Sequence, residues 1–222
     1  VQILLYLVYQ VGGIGGLNLL TGLVFTVAFY FVSKALSGNE LLKASTLILG
    51  AAVSSLHASA RPALFTLLFS AIFLWVLEDY RWGRANRLNL LPPLMVVWAN
   101  SHGLALIGFG LVGLYALGMT KVEKQGTKLV ITSLPKNLYI LIPFLLLAAC
   151  INPYGPAMLL YPLQAASAHW EAAQHIQEWQ SPDFHRSFVQ PFIWLLLLTI
   201  AVIGANRRCM ALTDFLLVAS FA

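Results

Sequence analysis

Apolar residues in this chain gather into long runs, and each run ends where charges, a glycine pair or a proline intervene. A membrane span needs about 20 apolar residues, fewer where neighbouring protein shields its ends. On that measure residues 17–32 form the first clear span, running inward. Residues 1–11 are too short to cross and are followed by Gly12-Gly13 and Gly15-Gly16. They are expected to form a helix lying at the outer interface, with Tyr6 and Tyr9 at headgroup depth. After a cytoplasmic loop at 33–43, residues 47–56 return outward as a short span, and 57–62 make an outer connection. Pro62 suits the first turn of the next helix, and residues 63–77 run inward to an interfacial anchor, Glu78-Asp79-Tyr80-Arg81-Trp82-Gly83-Arg84. Residues 88–98 go out, interrupted by Pro92-Pro93, and Asn100-Ser101-His102-Gly103 breaks the chain at or below the outer surface. Residues 104–117 return, 121–136 form a basic cytoplasmic loop, 138–151 go out, and 152–190 form the longest polar stretch, an outer-face loop. Residues 192–203 come back in, and one more span starts at Leu212.

The expected fold is therefore all-α, a polytopic transmembrane helix bundle of about seven to eight spans plus the outer interfacial helix, forming one integral membrane domain over residues 1–222. Gly103, Gly108, Gly110 and Gly113 suit close helix packing in a bilayer. The chain opens without Met inside one apolar pattern and stops inside another, so it reads as a fragment truncated at its N-terminus.

Charge sets the orientation. Eleven of the 13 Lys and Arg residues fall in four clusters: Lys34/Lys43, Arg81/Arg84/Arg87, Lys121/Lys124/Lys128/Lys136 and Arg207/Arg208. Arg61, Arg186 and all five histidines (His57, His102, His169, His175 and His185) lie in the alternate connections. Basic loops mark the cytoplasmic side, which leaves the outer face with nearly every residue capable of chemistry. With 59% hydrophobic and 9% charged residues, the composition excludes an ordinary soluble domain, whose charged share is about a quarter. The net charge of +5 brackets apolar runs, so it points to anionic membrane lipid and not to nucleic acid. Cys150 and Cys209 sit on opposite faces and read as small apolar residues, not a disulfide.

Three outer-face groups are candidates for function. Arg61 lies between two spans, where a cation needs water, a carboxylate or a phosphate. It either binds a substrate phosphate or snorkels to lipid headgroups. Asn100 and His102 sit in a polar break that either lines a hydrated cavity or makes a simple outer turn. The loop 152–190 carries Tyr154, then Glu178, Trp179, Asp183, His185 and Arg186 in a stretch of acids, aromatics and cations around Pro182. Aromatic faces stack on sugar rings and carboxylates accept from hydroxyls; the other reading is an interfacial aromatic belt. If residues 165–178 are helical, Glu171, His175 and Glu178 share one face, which is either solvated or a weak divalent-metal site. No cofactor is otherwise implied. No P-loop, Gly-x-Ser-x-Gly elbow or His-Glu-x-x-His is present.

Several motifs follow one another along the chain: Ser54 seven residues before Arg61-Pro62, Leu91-Pro92-Pro93-Leu94, Trp98-Ala99-Asn100-Ser101-His102-Gly103, Asn152-Pro153-Tyr154-Gly155, Tyr161-Pro162-Leu163 and Glu178-Trp179-Gln180-Ser181-Pro182-Asp183-Phe184-His185. Over nearly the whole chain this order resembles a group of uncharacterised bacterial polytopic membrane proteins. Their layout is in turn similar to the membrane core of polyprenyl-phosphate-dependent glycosyltransferases of the GT-C type.

That resemblance implies transfer of a sugar from a polyprenyl-phosphate donor to an acceptor on the extracytoplasmic face of the bacterial inner membrane. It implies a carboxylate in the first outer loop, expected upstream of Val1, and cations that steady the departing lipid phosphate. By position His102 stands where some relatives carry a phosphate-binding Lys, and a neutral His offers only one donor. Arg61, His102 and Arg186 are thus expected to contact phosphate, and Glu178, Asp183 and His185 sugar or acceptor. A transporter or flippase of lipid-linked sugars is the first alternative. Ionisable residues at mid-span would favour it, and 17–32, 63–77, 104–117 and 192–203 have none. A non-enzymatic assembly protein that docks a partner on 152–190 is the second.

Overall fold

The computed structural model describes residues 1–55, 58–125, 128–160, 183–205 and 211–221. Within them the chain is mostly helical: α1 (Gln2–Ala35), α2 (Glu40–Ser55), α3 (Ala63–Arg81), α4 (Leu91–Ala99), α5 (Leu106–Met119), a hairpin of β1 (Lys121–Gln125) and β2 (Lys128–Ser133), α6 (Lys136–Ala149), α7 (Gln190–Ala205) and α8 (Leu212–Phe221). Single 3₁₀ turns lead into α4, α5 and α7. Each apolar run of the described sequence is a helix.

α1 is two helices joined at Gly13, whose φ of 55° and ψ of −148° only glycine adopts without strain. A straight helix of this length would run about 50 Å, against about 30 Å of hydrocarbon, whereas residues 14–35 alone cover about 33 Å. The break falls where the glycine pair led one to expect it. α1 and α3 are long and apolar enough to cross a membrane. The other apolar helical segments, Leu88–Ala99, Gly103–Met119, Lys136–Ala149 and Gln190–Gly204, are shorter, so among the described residues two of the seven to eight expected spans meet the length on their own.

The core is the seam between α3, α4, α5 and α6, where Phe73, Leu77, Leu91, Met95, Trp98, Val112, Tyr115, Leu138 and Leu145 are fully buried. Pro92 and Pro93 do not interrupt α4. They occupy its first turn, where no intrahelical donor is lost. Gly108 lets α5 close on this seam: a Cβ there would lie 2.8 Å from Met95 Cε and 3.0 Å from Trp98 Cζ3. At Gly110 and Gly113 a Cβ would meet nothing within 4 Å, so close packing accounts for Gly108 and not for these two. Around the seam, α1 packs on α3, α2 on α7 and α8 on α5.

Two connections carry more structure than expected. α2 begins at Glu40 inside the anticipated 33–43 loop, because the Asn39 side chain accepts the Leu41 N–H at 2.8 Å and caps the first turn. The basic stretch 121–136 holds an antiparallel hairpin that pairs Val122 with Ile131 and Lys124 with Leu129.

Candidate functional site

Polar side chains collect at the two ends of the helix bundle. At one end α1 and α3 both finish. Arg84 reaches back to the Ser37 hydroxyl at 3.1 Å and the Ala35 carbonyl at 3.4 Å. The buried Asp79 carboxylate receives Arg84 Nε at 2.9 Å and Arg87 Nη1 in a shorter contact. Glu78 accepts the Tyr115 hydroxyl at 2.5 Å and the Trp82 indole N–H at 2.6 Å, and Arg81 bridges Glu78 to Asp214. The Arg87 guanidinium also lies over the Trp75 ring, 4.9 Å from its centroid. Four helices, α1, α3, α5 and α8, are tied by these contacts, so what reads in sequence as a surface anchor is a structural clasp. A buried carboxylate is tolerable only when paired, and Asp79 has two cations. An open groove of about 540 Å³, lined by Asn86, Asn89, Asn137, Pro92 and Phe144 among others, lies at this same end.

At the opposite end stand the candidates from sequence. His102 Nδ1 lies 2.8 Å from Thr66 Oγ1, and the Trp98 indole N–H donates to that same oxygen at 3.1 Å. Tryptophan has only a donor, so Thr66 must accept it. The Thr66 proton can then go to Nδ1 of a neutral His102, leaving Nε2–H as the ring's outward donor; in a doubly protonated ring Nδ1–H donates to the second lone pair of Thr66. Either way the ring is held by a buried threonine in the first turn of α3. Asn100 is exposed, yet its amide donates to the Val96 carbonyl at 2.8 Å and the Ile151 carbonyl at 2.7 Å, joining the end of α4 to the end of α6. Asn100-Ser101-His102-Gly103 is thus a fastened turn between α4 and α5, not a loose loop.

Arg61 is exposed five residues before Thr66, in the connection from α2 to α3. Beside that connection a pocket of about 250 Å³ opens between the helices, lined by Val53, Ser54, Ala58, Ala63, Leu64 and Leu67. Its walls are mostly apolar, and Arg61 is flanked in the chain by two of its lining residues. Asn152 closes the turn after α6, donating to the Ala149 carbonyl at 2.6 Å and accepting the Tyr154 N–H at 2.8 Å. Gly155 takes a φ of 55°, and the Tyr154 side chain is 74% exposed.

Asp183, His185 and Arg186 share one exposed turn ahead of α7. Asp183 accepts the His185 N–H at 3.1 Å and pairs with Arg186 Nε at 3.3 Å. Phe184 stacks on Phe192 of α7, with ring centroids 6.3 Å apart. Arg186 therefore has a carboxylate partner within its own turn. Glu171, His175, Glu178 and Trp179 lie outside the described residues, as does His57. Among the described residues no three His, Cys, Asp or Glu side chains come together as a metal would need.

Sequence reasoning did not single out Thr66, the residue that organises this end. Its signal is a lone hydroxyl in the apolar run Leu64-Phe65-Thr66-Leu67-Leu68. Comparison with protein-family models, with curated proteins and with solved structures finds no match.

Proposed function

We propose that this chain is part of a multi-pass membrane protein that transfers a sugar from a polyprenyl-phosphate donor to an acceptor at the end of the bundle holding Arg61 and His102. The basic end faces the cytoplasm in this reading, and the shorter apolar helices cross with help from their neighbours. One observation carries it: the mostly apolar pocket beside the Arg61 connection, at the end where His102 is held by Thr66. An isoprenoid chain suits such walls, and a phosphate suits an arginine carried on the connection that supplies part of them. In the reaction the acceptor hydroxyl oxygen bonds to the sugar's anomeric carbon, the carbon–oxygen bond to phosphate breaks, and polyprenyl phosphate leaves with the electron pair. The hydroxyl proton passes to a general base. Arg61 and the His102 Nε2–H would stabilise charge gathering on the leaving phosphate.

The placement of charge favours this over transport. Glu78, Asp79 and Arg81 sit at the end of α3, where Glu78 is paired with Arg81 and Asp79 with Arg84 and Arg87, and a translocation pathway would need ionisable groups nearer mid-span. The test uses the purified full-length protein with polyprenyl-phosphate sugars and measures release of polyprenyl phosphate. Release that falls by about 10² or more in Arg61→Ala and His102→Ala supports the reading. Unchanged release in both variants removes the phosphate assignment. No release from the unaltered protein with any donor, while reconstituted vesicles move the lipid-linked sugar across the bilayer, would make it a flippase.

A further inference from the structure

The β1–β2 hairpin presents an apolar face that no described residue covers. Register puts Val122, Lys124, Leu129 and Ile131 on one face and Glu123 and Val130 on the other. Leu129 is 76% exposed, Ile131 60% and Val122 51%. An isolated two-stranded hairpin is marginal in water, and three large aliphatic side chains on one face give it a surface to bury. The surrounding charge says against what. Lys121 begins β1, Lys124 shares the apolar face, Lys128 begins β2 and Lys136 begins α6, with Glu123 the single acid in the hairpin and on the other face.

We infer that the hairpin is a membrane-surface element, with Val122, Leu129 and Ile131 set into the headgroup region of an anionic leaflet and its lysines at the lipid phosphates. Lysine stems reach along apolar surface while their ammonium groups stay at phosphate level, so Lys124 can share the inserted face. The pairing of the two strands satisfies much of the backbone before it meets the less polar environment. Apolar area and lysine charge then act together, as they do for amphipathic helices that lie in the interface. The inference rests on the proposed membrane reading, in which the same end of the bundle faces the cytoplasmic leaflet.

Nitroxide labels test it on the full-length protein in nanodiscs, with its native cysteines, Cys150 and Cys209 among them, replaced by serine. Labels enter singly through Leu129→Cys and Ile131→Cys on the apolar face, Glu123→Cys on the opposite face, and Leu23→Cys in the exposed flank of α1. Collision rates with oxygen, which concentrates in lipid, are compared with those of a water-soluble nickel chelate. In discs containing phosphatidylglycerol, labels at 129 and 131 are expected to favour oxygen several-fold over the label at 123. The bias should weaken in phosphatidylcholine alone and in the Lys121→Gln/Lys124→Gln/Lys128→Gln variant. Equal nickel access on both faces would overturn the inference by leaving the hairpin in water. Shielding of 129 and 131 from both reagents would overturn it in favour of a protein partner. A nickel-exposed label at 23 would sink the membrane reading itself, which keeps the two failures apart.

Discussion

Arg81 holds Asp214 through both guanidinium nitrogens, at 2.6 and 2.9 Å, although 133 residues separate them in sequence. The planar fork of arginine matches a carboxylate, and the pair locks the start of α8 to the end of α3. Asp214 also accepts the Ala211 N–H at 3.2 Å, which fixes the first turn of α8. Asp214→Asn should cost about 1.5–3 kcal/mol, the value of a hydrogen bond to a charged group, because Asp214 is partly open to water. Arg81→Ala should cost more, since it strips Glu78 of its cation as well. Thermal unfolding of the detergent-solubilised protein checks both, and a double variant no worse than Arg81→Ala alone would show the two residues acting as one unit.

Gly118 is where α5 and α8 touch backbone to backbone. A Cβ built there falls 2.5 Å from the Thr213 Cα and 2.7 Å from its nitrogen, and backbone cannot swing aside as a side chain end can. Gly118→Ala should therefore push α8 off α5 and cost about 1–3 kcal/mol, the usual range for overpacking. Gly113→Ala on the same helix meets open space and gains helix propensity, so it should leave stability unchanged or slightly raised. Equal effects of the two changes on the melting temperature would refute the close approach.

The helices were legible because long apolar runs admit few other structures, and the punctuation at Gly13 and Pro62 was legible because each sits where its backbone chemistry has one use. The gathering of Arg81, Arg84 and Arg87 at one end followed from loop charge alone. Their partners did not. Asp214 lies in a distant helix, and Glu78 and Asp79 read equally well as solvated interfacial residues until Tyr115 and the arginines are seen to close around them. The hairpin was hidden for a different reason. Val130-Ile131-Thr132 is a β-branched run and Gly126-Thr127 a turn signal, but four lysines in sixteen residues made a basic loop the simpler reading. At the candidate site, His102 and Asn100 stood out as polar residues between apolar runs. Thr66 did not, since a single hydroxyl in a membrane helix is usually satisfied by its own backbone.

In the proposed membrane reading, the break in α1 sets how the first helical segment meets the bilayer. Gly13 holds a backbone conformation that an L side chain resists, and Gly13→Ala meets no steric neighbour, so its effect is conformational alone. The strain of about 1–3 kcal/mol should straighten the helix at this point. If residues 2–12 lie at the interface as that reading has them, a fluorophore at Ile3 should be shielded from aqueous iodide in the unaltered protein and become iodide-accessible in Gly13→Ala as the segment swings out of the headgroup layer. Gly12→Ala, one residue earlier and also without a near neighbour, should leave the quenching as it was.

Thr66 couples the fold to the proposed chemistry, and two substitutions separate its roles. Thr66→Ser keeps the hydroxyl that takes the Trp98 N–H and meets His102, so stability should fall only slightly and activity should persist. Thr66→Val keeps the shape but strands a buried indole donor, which costs about 1–3 kcal/mol, and frees the His102 ring to turn. If His102 serves the leaving phosphate, Thr66→Val should lower turnover well beyond what the loss of folded protein explains, because a donor that is not held in place must be reorganised during the reaction. The measurement is polyprenyl phosphate release per mole of folded protein, with folded protein counted by size-exclusion chromatography. A drop in Thr66→Val matched by His102→Ala, with no further loss in the double variant, would place the two residues on one catalytic contribution. Full turnover per folded molecule in Thr66→Val would reduce the Thr66 to His102 contact to packing and leave Arg61 to carry the phosphate alone.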